Sequence, residues 1–181
     1  MLGKMCWPVS ALALTAFVAG CKPDEPIRTY NVDKEVAPAP KPQQSGGLSW
    51  TVPEGWTVGP AKQFRIVTLK KEAAEMYLSE PFQGSVLDNV NRWRVDPAGL
   101  PKIAEAELPS VASEYPIGAV KASRVDFRGP GTGGGSVRIL GAIIPAGPSG
   151  SWFVRFSGPT DRIAANEADF DKFLASIRIA K

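Results

Sequence analysis

From Val137 to Ile144 the chain reads Val-Arg-Ile-Leu-Gly-Ala-Ile-Ile, with no polar side chain after Arg138. A strand points successive side chains to opposite faces, so a run that is apolar on both faces must be covered on both. The stretch therefore predicts a central, mid-sheet strand with helices or another layer on each side. Everything else in the folded part has to supply those covers.

The flanking sequence offers candidates in both periods. Leu48, Trp50 and Val52 alternate with Ser49 and Thr51 as in a half-buried strand, and Pro53-Glu54-Gly55 turns the chain into Trp56-Thr57-Val58. Phe64 to Leu69 and Ala74 to Leu78 follow as strands joined at Lys70-Lys71-Glu72, and the stretch from Pro81 to Gly84 breaks the pattern. Ser85 reads as a helix N-cap with Asp88 three residues on, and Val86, Val90 and Trp93 share a helical face that ends by Asp96-Pro97. Pro101 is expected to open a second short helix through Leu108, and Ser110 to Gly118 reads as loop. Val120 to Arg128 predicts a strand with Ser123, Val125 and Phe127 on one face and Arg124, Asp126 and Arg128 on a wet one. Pro145 to Gly150 forms a loop, after which Trp152 to Phe156 pairs back. A helix from Asp161 or Asn166 to Ala175 carries the stripe Ile163, Phe170, Phe173 and Leu174, and Ser176 to Ala180 closes as a strand. The class is α+β, a mainly antiparallel sheet flanked by helices.

The first 47 residues have a different character. Lys4 precedes an apolar run from about Trp7 to Ala19, shorter than the roughly 20 residues that a spanning helix needs. Val18-Ala19-Gly20-Cys21 has the form of a lipobox, so residues 1–20 resemble a bacterial lipoprotein signal peptide with Cys21 as the lipidated first residue of the mature chain. The alternatives are an ordinary thiol behind a signal cleaved elsewhere, or an uncleaved anchor. Only two cysteines occur, Cys6 and Cys21, so a lipidated chain retains no thiol for a disulfide. About 130 residues can build a stable core without one. From Lys22 to Gly47 prolines and charges interleave, so residues 21–47 read as a disordered, extended tether and 48–181 as a single domain. Ala37-Pro-Ala-Pro-Lys-Pro42 is alternatively a ligand for a proline-binding module.

Trp50-Thr-Val-Pro-Glu-Gly-Trp56, the helix with Asn89-Val-Asn-Arg-Trp-Arg94, then Trp152-Phe-Val-Arg-Phe-Ser-Gly-Pro159 and Phe170-Asp-Lys-Phe-Leu-Ala-Ser-Ile177 resemble a group of bacterial envelope lipoproteins of planctomycetes and verrucomicrobia. More distantly the succession is similar to the Mog1/PsbP-like α/β sandwich. The resemblance covers nearly the whole mature domain. It implies an antiparallel sheet between helices, palmitate-type acylation at Cys21, and binding or assembly in place of chemistry. With Lys22 after the cysteine, it also implies sorting to the outer membrane, the domain lying in the periplasm or at the surface.

Chemistry is constrained mostly by exclusion. The chain has no histidine, which removes Ser-His-Asp and Cys-His catalysis and the usual zinc sites. No metal ligand set, cofactor motif or catalytic residue is expected. Gly129-Pro-Gly-Thr-Gly-Gly134 has the letters of a dinucleotide fingerprint, but a strand candidate follows it, so a flexible hairpin loop is the expectation. Glu105 and Glu107 fall on different faces of the expected helix, and Glu72 with Glu75, neighbours only if helical, reads as solvated charge. Losing Lys4 with the signal lowers the formal +3 by one, and without a basic block nucleic acid is not an expected partner. The binding candidates are Asn89, Asn91, Arg92, Trp93 and Arg94, planar donors around one indole face that suit anions, glycans or a protein. The plain structural alternative places Trp93 in the core, covered by an arginine, with an asparagine tying a neighbouring loop. The leading expectation is a membrane-anchored, non-catalytic interaction or assembly module with an envelope protein partner. A small-ligand or glycan carrier comes second, a carboxylate-dependent hydrolase third.

The anchor is testable by itself. The wild-type protein is expected to partition with membranes at a mass that includes acyl chains, and Cys21→Ser to partition into the aqueous phase unacylated. Aqueous, unacylated wild-type protein would refute the anchor.

Overall fold

A computed structural model describes residues 42–180. The signal, Cys21 and nearly all of the tether stretch lie outside the described residues. Two antiparallel sheets carry the fold. The larger has the order β3 (Thr57–Val58), β4 (Arg65–Lys71), β5 (Ala74–Ser79), β9 (Ser151–Pro159), β8 (Val137–Pro145), β7 (Val120–Gly129), β6 (Ala112–Ile117). The smaller joins β1 (Gln43–Ser45), β2 (Leu48–Trp50) and β10 (Arg178–Ile179). Three α-helices are described, α1 (Val86–Val95), α2 (Thr160–Ala165) and α3 (Glu167–Ser176). The α+β, antiparallel reading is the observed class. Among the described residues no helix is long and apolar enough to cross a membrane.

β8 lies inside the large sheet, flanked by β7 and β9, and every residue from Arg138 to Ile144 is buried. Its alternation divides the core. Leu140, Ala142 and Ile144 join Met76, Leu78, Val154 and Phe156 under α2, α3 and the small sheet, against Ile163, Phe170, Phe173, Leu174, Leu48 and Trp50. Ile139 and Ile143 join Val125, Phe127 and Phe153 on the opposite face, against Val90 and Trp93 of α1. Gly141 faces α1, and a Cβ there would stand 2.5 Å from Cζ3 of Trp93. The missing side chain is what lets the indole lie flat on the strand.

α1 begins as the sequence predicts. The Ser85 hydroxyl accepts the Asp88 backbone N–H at 3.0 Å, while the Asp88 carboxylate accepts the Ser85 N–H at 3.1 Å, a reciprocal capping box. The expected helix 101–108 is not formed. Residues 101–104 are neither helix nor strand because the Asn91 side chain binds the Ile103 backbone in both directions, at 2.9 and 2.8 Å, and a 3₁₀ turn follows over Glu105–Ser110. The expected loop at 110–118 is largely strand β6, paired with β7 from Ala112↔Val125 to Ile117↔Val120. β6 is an edge strand, where Pro116 costs no ladder bond. The last helix is two, α2 and α3, interrupted at Asn166. At the other end, folded chain begins before Leu48: Gly46 and Gly47, at φ +58° and +77°, make the two-residue turn of a hairpin that pairs Gln43 with Trp50. Residues 43–45, assigned to the tether from composition, are therefore a strand.

The charged face of β7 is only partly wet: Arg128 is exposed, whereas Arg124 and Asp126 are half-buried. Arg138, buried on the α3 side of β8, holds Asp126 through Nε and Nη2 at 2.9 and 2.6 Å and Glu167 of α3 through Nη1 and Nη2 at 2.7 and 3.0 Å. Arg124 adds Asp171 at 3.1 Å. Burial alone would raise the Asp126 carboxyl, but the Arg138 hydrogen bonds and charge outweigh it and hold that carboxyl below its ordinary value. The Glu167 carboxyl is lowered chiefly by its Arg138 hydrogen bonds. A guanidinium forked to two carboxylates is how a cation is accommodated beside an apolar core.

Carboxyls depressed on folding contribute stability that is present above their unfolded pKa, about 4, and is lost as pH falls through the lower folded values. Arg138→Met is expected to destabilise by about 2–3 kcal/mol at pH 7, less than for a fully buried pair because both carboxylates are partly in water. It should also flatten the stability decline below about pH 4. Denaturant unfolding of both proteins from pH 3 to 7 measures this, and an unchanged acid limb would contradict the assignment.

Candidate functional site

The order of the large sheet sets where a site can form. β9 lies between β5 and β8, so α1, which packs on β7, β8 and β9, leaves the same face of β4 and β5 without a helix. A cleft of about 260 Å³ opens at that boundary, lined by Phe64 and Arg65 at the start of β4, Tyr77 of β5, Phe82, Arg92 of α1, and Phe153 and Arg155 of β9, among others. Its walls are planar. Phe64 meets Phe82 edge-on at 5.7 Å, Phe82 stacks near Phe153 at 6.3 Å, and Phe153 meets Trp93 edge-on at 5.9 Å. This chain of rings runs from the exposed rim into the core.

Three guanidiniums enter the cleft, in two different states. Arg65 is committed: it lies 4.0 Å over the Tyr77 ring and bonds Glu75 at 2.6 Å. Burial opposes ionisation of Glu75, and the Lys62 and Arg65 hydrogen bonds overcome it and lower the carboxyl. Arg92 and Arg155 have no carboxylate partner among the described residues. Arg92 lies 5.8 Å from the Phe153 ring and Arg155 5.8 Å from the Trp93 ring, so both overlay the same aromatic pair. The Nε of Arg155 is buried with no hydrogen-bond acceptor among the described residues. A buried donor without an acceptor costs about 1–3 kcal/mol, a cost that an incoming anion removes.

Phe64 marks the rim. It is 52% exposed and holds φ at +64°, a left-handed conformation that a bulky residue adopts only against strain. Its carbonyl accepts the Glu80 N–H at 3.1 Å, which pins the loop in that shape.

The five sequence candidates on α1 separate. Asn89 is buried and donates to the Ser85 carbonyl at 2.9 Å. Asn91 is occupied by Ile103 in both directions. Arg94 donates from Nε to the Pro101 carbonyl at 3.0 Å and lies over Phe127. Trp93 is 1% exposed and reaches the cleft only along one edge. Emptying its volume costs about 3–5 kcal/mol, so Trp93→Ala cannot separate binding from folding. Arg92 alone is exposed and faces the cleft. The other lining residues, Phe64, Arg65, Tyr77, Phe82, Phe153 and Arg155, were not singled out from sequence. Alternation places Phe153 and Arg155 together, opposite Trp152, Val154 and Phe156, which is a readable signal: an arginine two residues from a phenylalanine on one face of an aromatic strand.

The remaining motifs are accounted for structurally. Residues 130–136 connect the antiparallel strands β7 and β8, as expected of a hairpin loop and not of a dinucleotide turn. Gly131 and Thr132 donate to the Ala98 and Pro97 carbonyls at 2.9 and 3.1 Å, so the loop is held against the end of α1. Among the described residues no group of three His, Cys, Asp or Glu is placed to hold a metal ion.

No protein-family model matches the chain, and no curated protein matches it in sequence. Among solved structures it is similar to the cyanobacterial PsbP protein (CyanoP) of Synechocystis sp. PCC 6803, at 12% identity and a TM-score of 0.49 over 82% of this chain and 97% of that one. It is also similar to LpqN of Mycobacterium tuberculosis, described as involved in cell envelope biogenesis, at 14% identity and a TM-score of 0.48 over 78% of this chain and 86% of that one. At these scores neither likeness bears on the role of any residue here.

Phe64→Gly tests the rim. Glycine takes a positive φ without strain, so relief there offsets the lost ring contact with Phe82, and stability is expected within about 1 kcal/mol of wild type. Phe64→Ala keeps the strain without the ring and is expected to be less stable than Phe64→Gly, as read by denaturant unfolding.

Proposed function

We propose that the chain is a non-catalytic interaction module of the bacterial cell envelope, held to the outer membrane by acyl chains on Cys21 and engaging a protein partner through the cleft beside α1. The observation that carries this reading is the pair Arg92 and Arg155, two guanidiniums over an aromatic floor with no carboxylate partner among the described residues. Arginines and aromatic rings at a cleft rim are the side chains that most often dominate binding energy at protein interfaces. Catalysis needs a proton donor and acceptor aimed at one point, and the cleft lining offers no histidine, cysteine, lysine, aspartate or glutamate for either role. The acids nearest by are engaged elsewhere, Glu75 with Lys62 and Arg65 and Asp88 with the α1 cap. The proline-rich stretch after Cys21 fits this role as a spacer, because extended chain at about 3.1 Å per residue carries a domain well clear of a lipid surface.

A photo-cross-linking amino acid placed at position 64 in the producing cell tests the reading. A discrete protein adduct is expected there, absent when the same probe stands at Lys121 and strongly reduced in an Arg92→Glu, Arg155→Glu background. No adduct at position 64, or an adduct indifferent to both arginines, would overturn it.

A further inference from the structure

The chemistry of the cleft narrows what its partner must present. Resting on the interaction-module reading above, we infer that the cleft receives a partner segment in which a carboxylate side chain stands next to an aromatic ring. The carboxylate is taken by Arg92 and Arg155, and the ring packs against Phe64 and Phe82.

Four observations converge on that ligand. The first is charge. Arg65 is paired with Glu75, whereas among the described residues no carboxylate lies within ion-pair distance of Arg92 or Arg155 in the cleft, so both can accept one from a partner. The second is an orphan donor. The buried Nε of Arg155 has no acceptor among the described residues, and an arginine fork presents Nε together with an Nη to a carboxylate as a matched pair. The third is shape. Both guanidiniums lie over ring faces, and the lining contains no lysine, so the donors are planar forks that match a carboxylate bidentately. The fourth is size. About 260 Å³ is at the small end for a pocket that engulfs a free ligand, typically about 300–1,000 Å³, and is ample for one ring and one carboxylate offered by a chain that stays outside. Phe64, at 52% exposure and in a strained conformation, meets Phe82 with one edge and leaves the rest of its ring open at the rim, where an incoming ring can stack at about 4.5–7 Å between centroids.

This assigns different work to the three arginines. Arg65 is a positioning residue, held over Tyr77 to shape one wall. Arg92 and Arg155 contact the ligand.

The test is calorimetric titration of the lipid-anchored protein, purified in detergent micelles, with an acetylated and amidated heptapeptide whose centre is Glu-Phe-Asp. Binding is expected, weakened by about tenfold or more, some 1.4 kcal/mol, when Gln-Phe-Asn replaces the centre, and by several-fold when alanine replaces the phenylalanine. Arg92→Gln and Arg155→Gln are each expected to weaken binding by about tenfold, and Lys121→Gln to leave it unchanged. Because Arg155 lies against the core, unfolding curves accompany each variant. Arg92→Lys, at an exposed helix position, serves as the conservative control: it keeps the charge, loses the planar fork and should still weaken binding several-fold.

Equal binding of the Gln-Phe-Asn peptide, or no binding at millimolar concentration, would overturn the inference. So would phenylacetate binding as tightly as the peptide, which would make the cleft a carrier site for small aromatic acids. Self-association that needs Arg92 and no peptide would assign the cleft to a second copy and likewise overturn it. A silent peptide alongside an intact cross-link at position 64 would defeat this inference and leave the interaction module standing. A bound peptide without any cross-link would overturn the interaction module, and with it a protein segment as the natural ligand, while the cleft's preference for a carboxylate next to a ring would stand.

Discussion

A strand buried on both faces imposes two covers, and the rest of this molecule is the way those covers are supplied. β8 is apolar from Ile139 to Ile144 and lies between β7 and β9, so one layer alone would leave half of its side chains in water. On one side the cover is α2, α3 and the small sheet. On the other it is α1, whose Trp93 is seated by the missing side chain of Gly141. The strand's one charge, Arg138, would be costly in such a place. It is accommodated because β7 and α3 each supply a carboxylate, so a feature hostile to burial becomes a link between sheet and helix.

The cleft follows from the same arrangement. The two meanders, β3-β4-β5 and β6-β7-β8-β9, join edge to edge between β5 and β9. A ten-residue helix cannot cover seven strands, and α1 lies over the second meander, where the large apolar residues of its face of the sheet are. The corresponding face of β4 and β5 carries Arg65, Glu75 and Tyr77, which can coexist with water. The seam between covered and uncovered sheet is therefore where aromatic side chains from the core meet arginines from the surface. Two of those arginines have no ion-pair partner among the described residues. The cleft is a consequence of unequal cover over a continuous sheet, with arginines and aromatic rings concentrated at the edge of the helix.

The parts legible in the sequence were those governed by neighbours along the chain. Ser85 with Asp88 identified the start of α1, the prolines and glycines marked most turns, and alternation correctly divided Trp152, Val154 and Phe156 from Phe153 and Arg155. Where the reading failed, a distant partner had intervened. Residues 101–104 carry a helical pattern but spend their backbone on Asn91, ten or so residues earlier. Residues 112–117 lack a clean alternation and become a strand because β7 offers an unpaired edge. The charges on β7 look like a solvent face until α3, some forty residues on, brings Glu167 and Asp171 over them. On the functional side, Arg92 was visible as a candidate, whereas Asn91, Trp93 and Arg94 proved to be committed to holding the helix and its following segment.

By itself the sequence determined the class of the fold, the two-sided burial of β8 and the exclusion of histidine-dependent chemistry, because these depend on residue type and local period. Only the tertiary structure decided which arginines are neutralised and which stand free. The reason is geometric: a guanidinium's state depends on which carboxylates and rings lie within a few ångströms, and β4, β5, α1 and β9 reach one another from positions as far apart as Phe64 and Arg155. Arg65, Arg92, Arg138 and Arg155 are alike in the sequence. Packing makes one a buried clamp and one a wall, and leaves two without an ion-pair partner among the described residues.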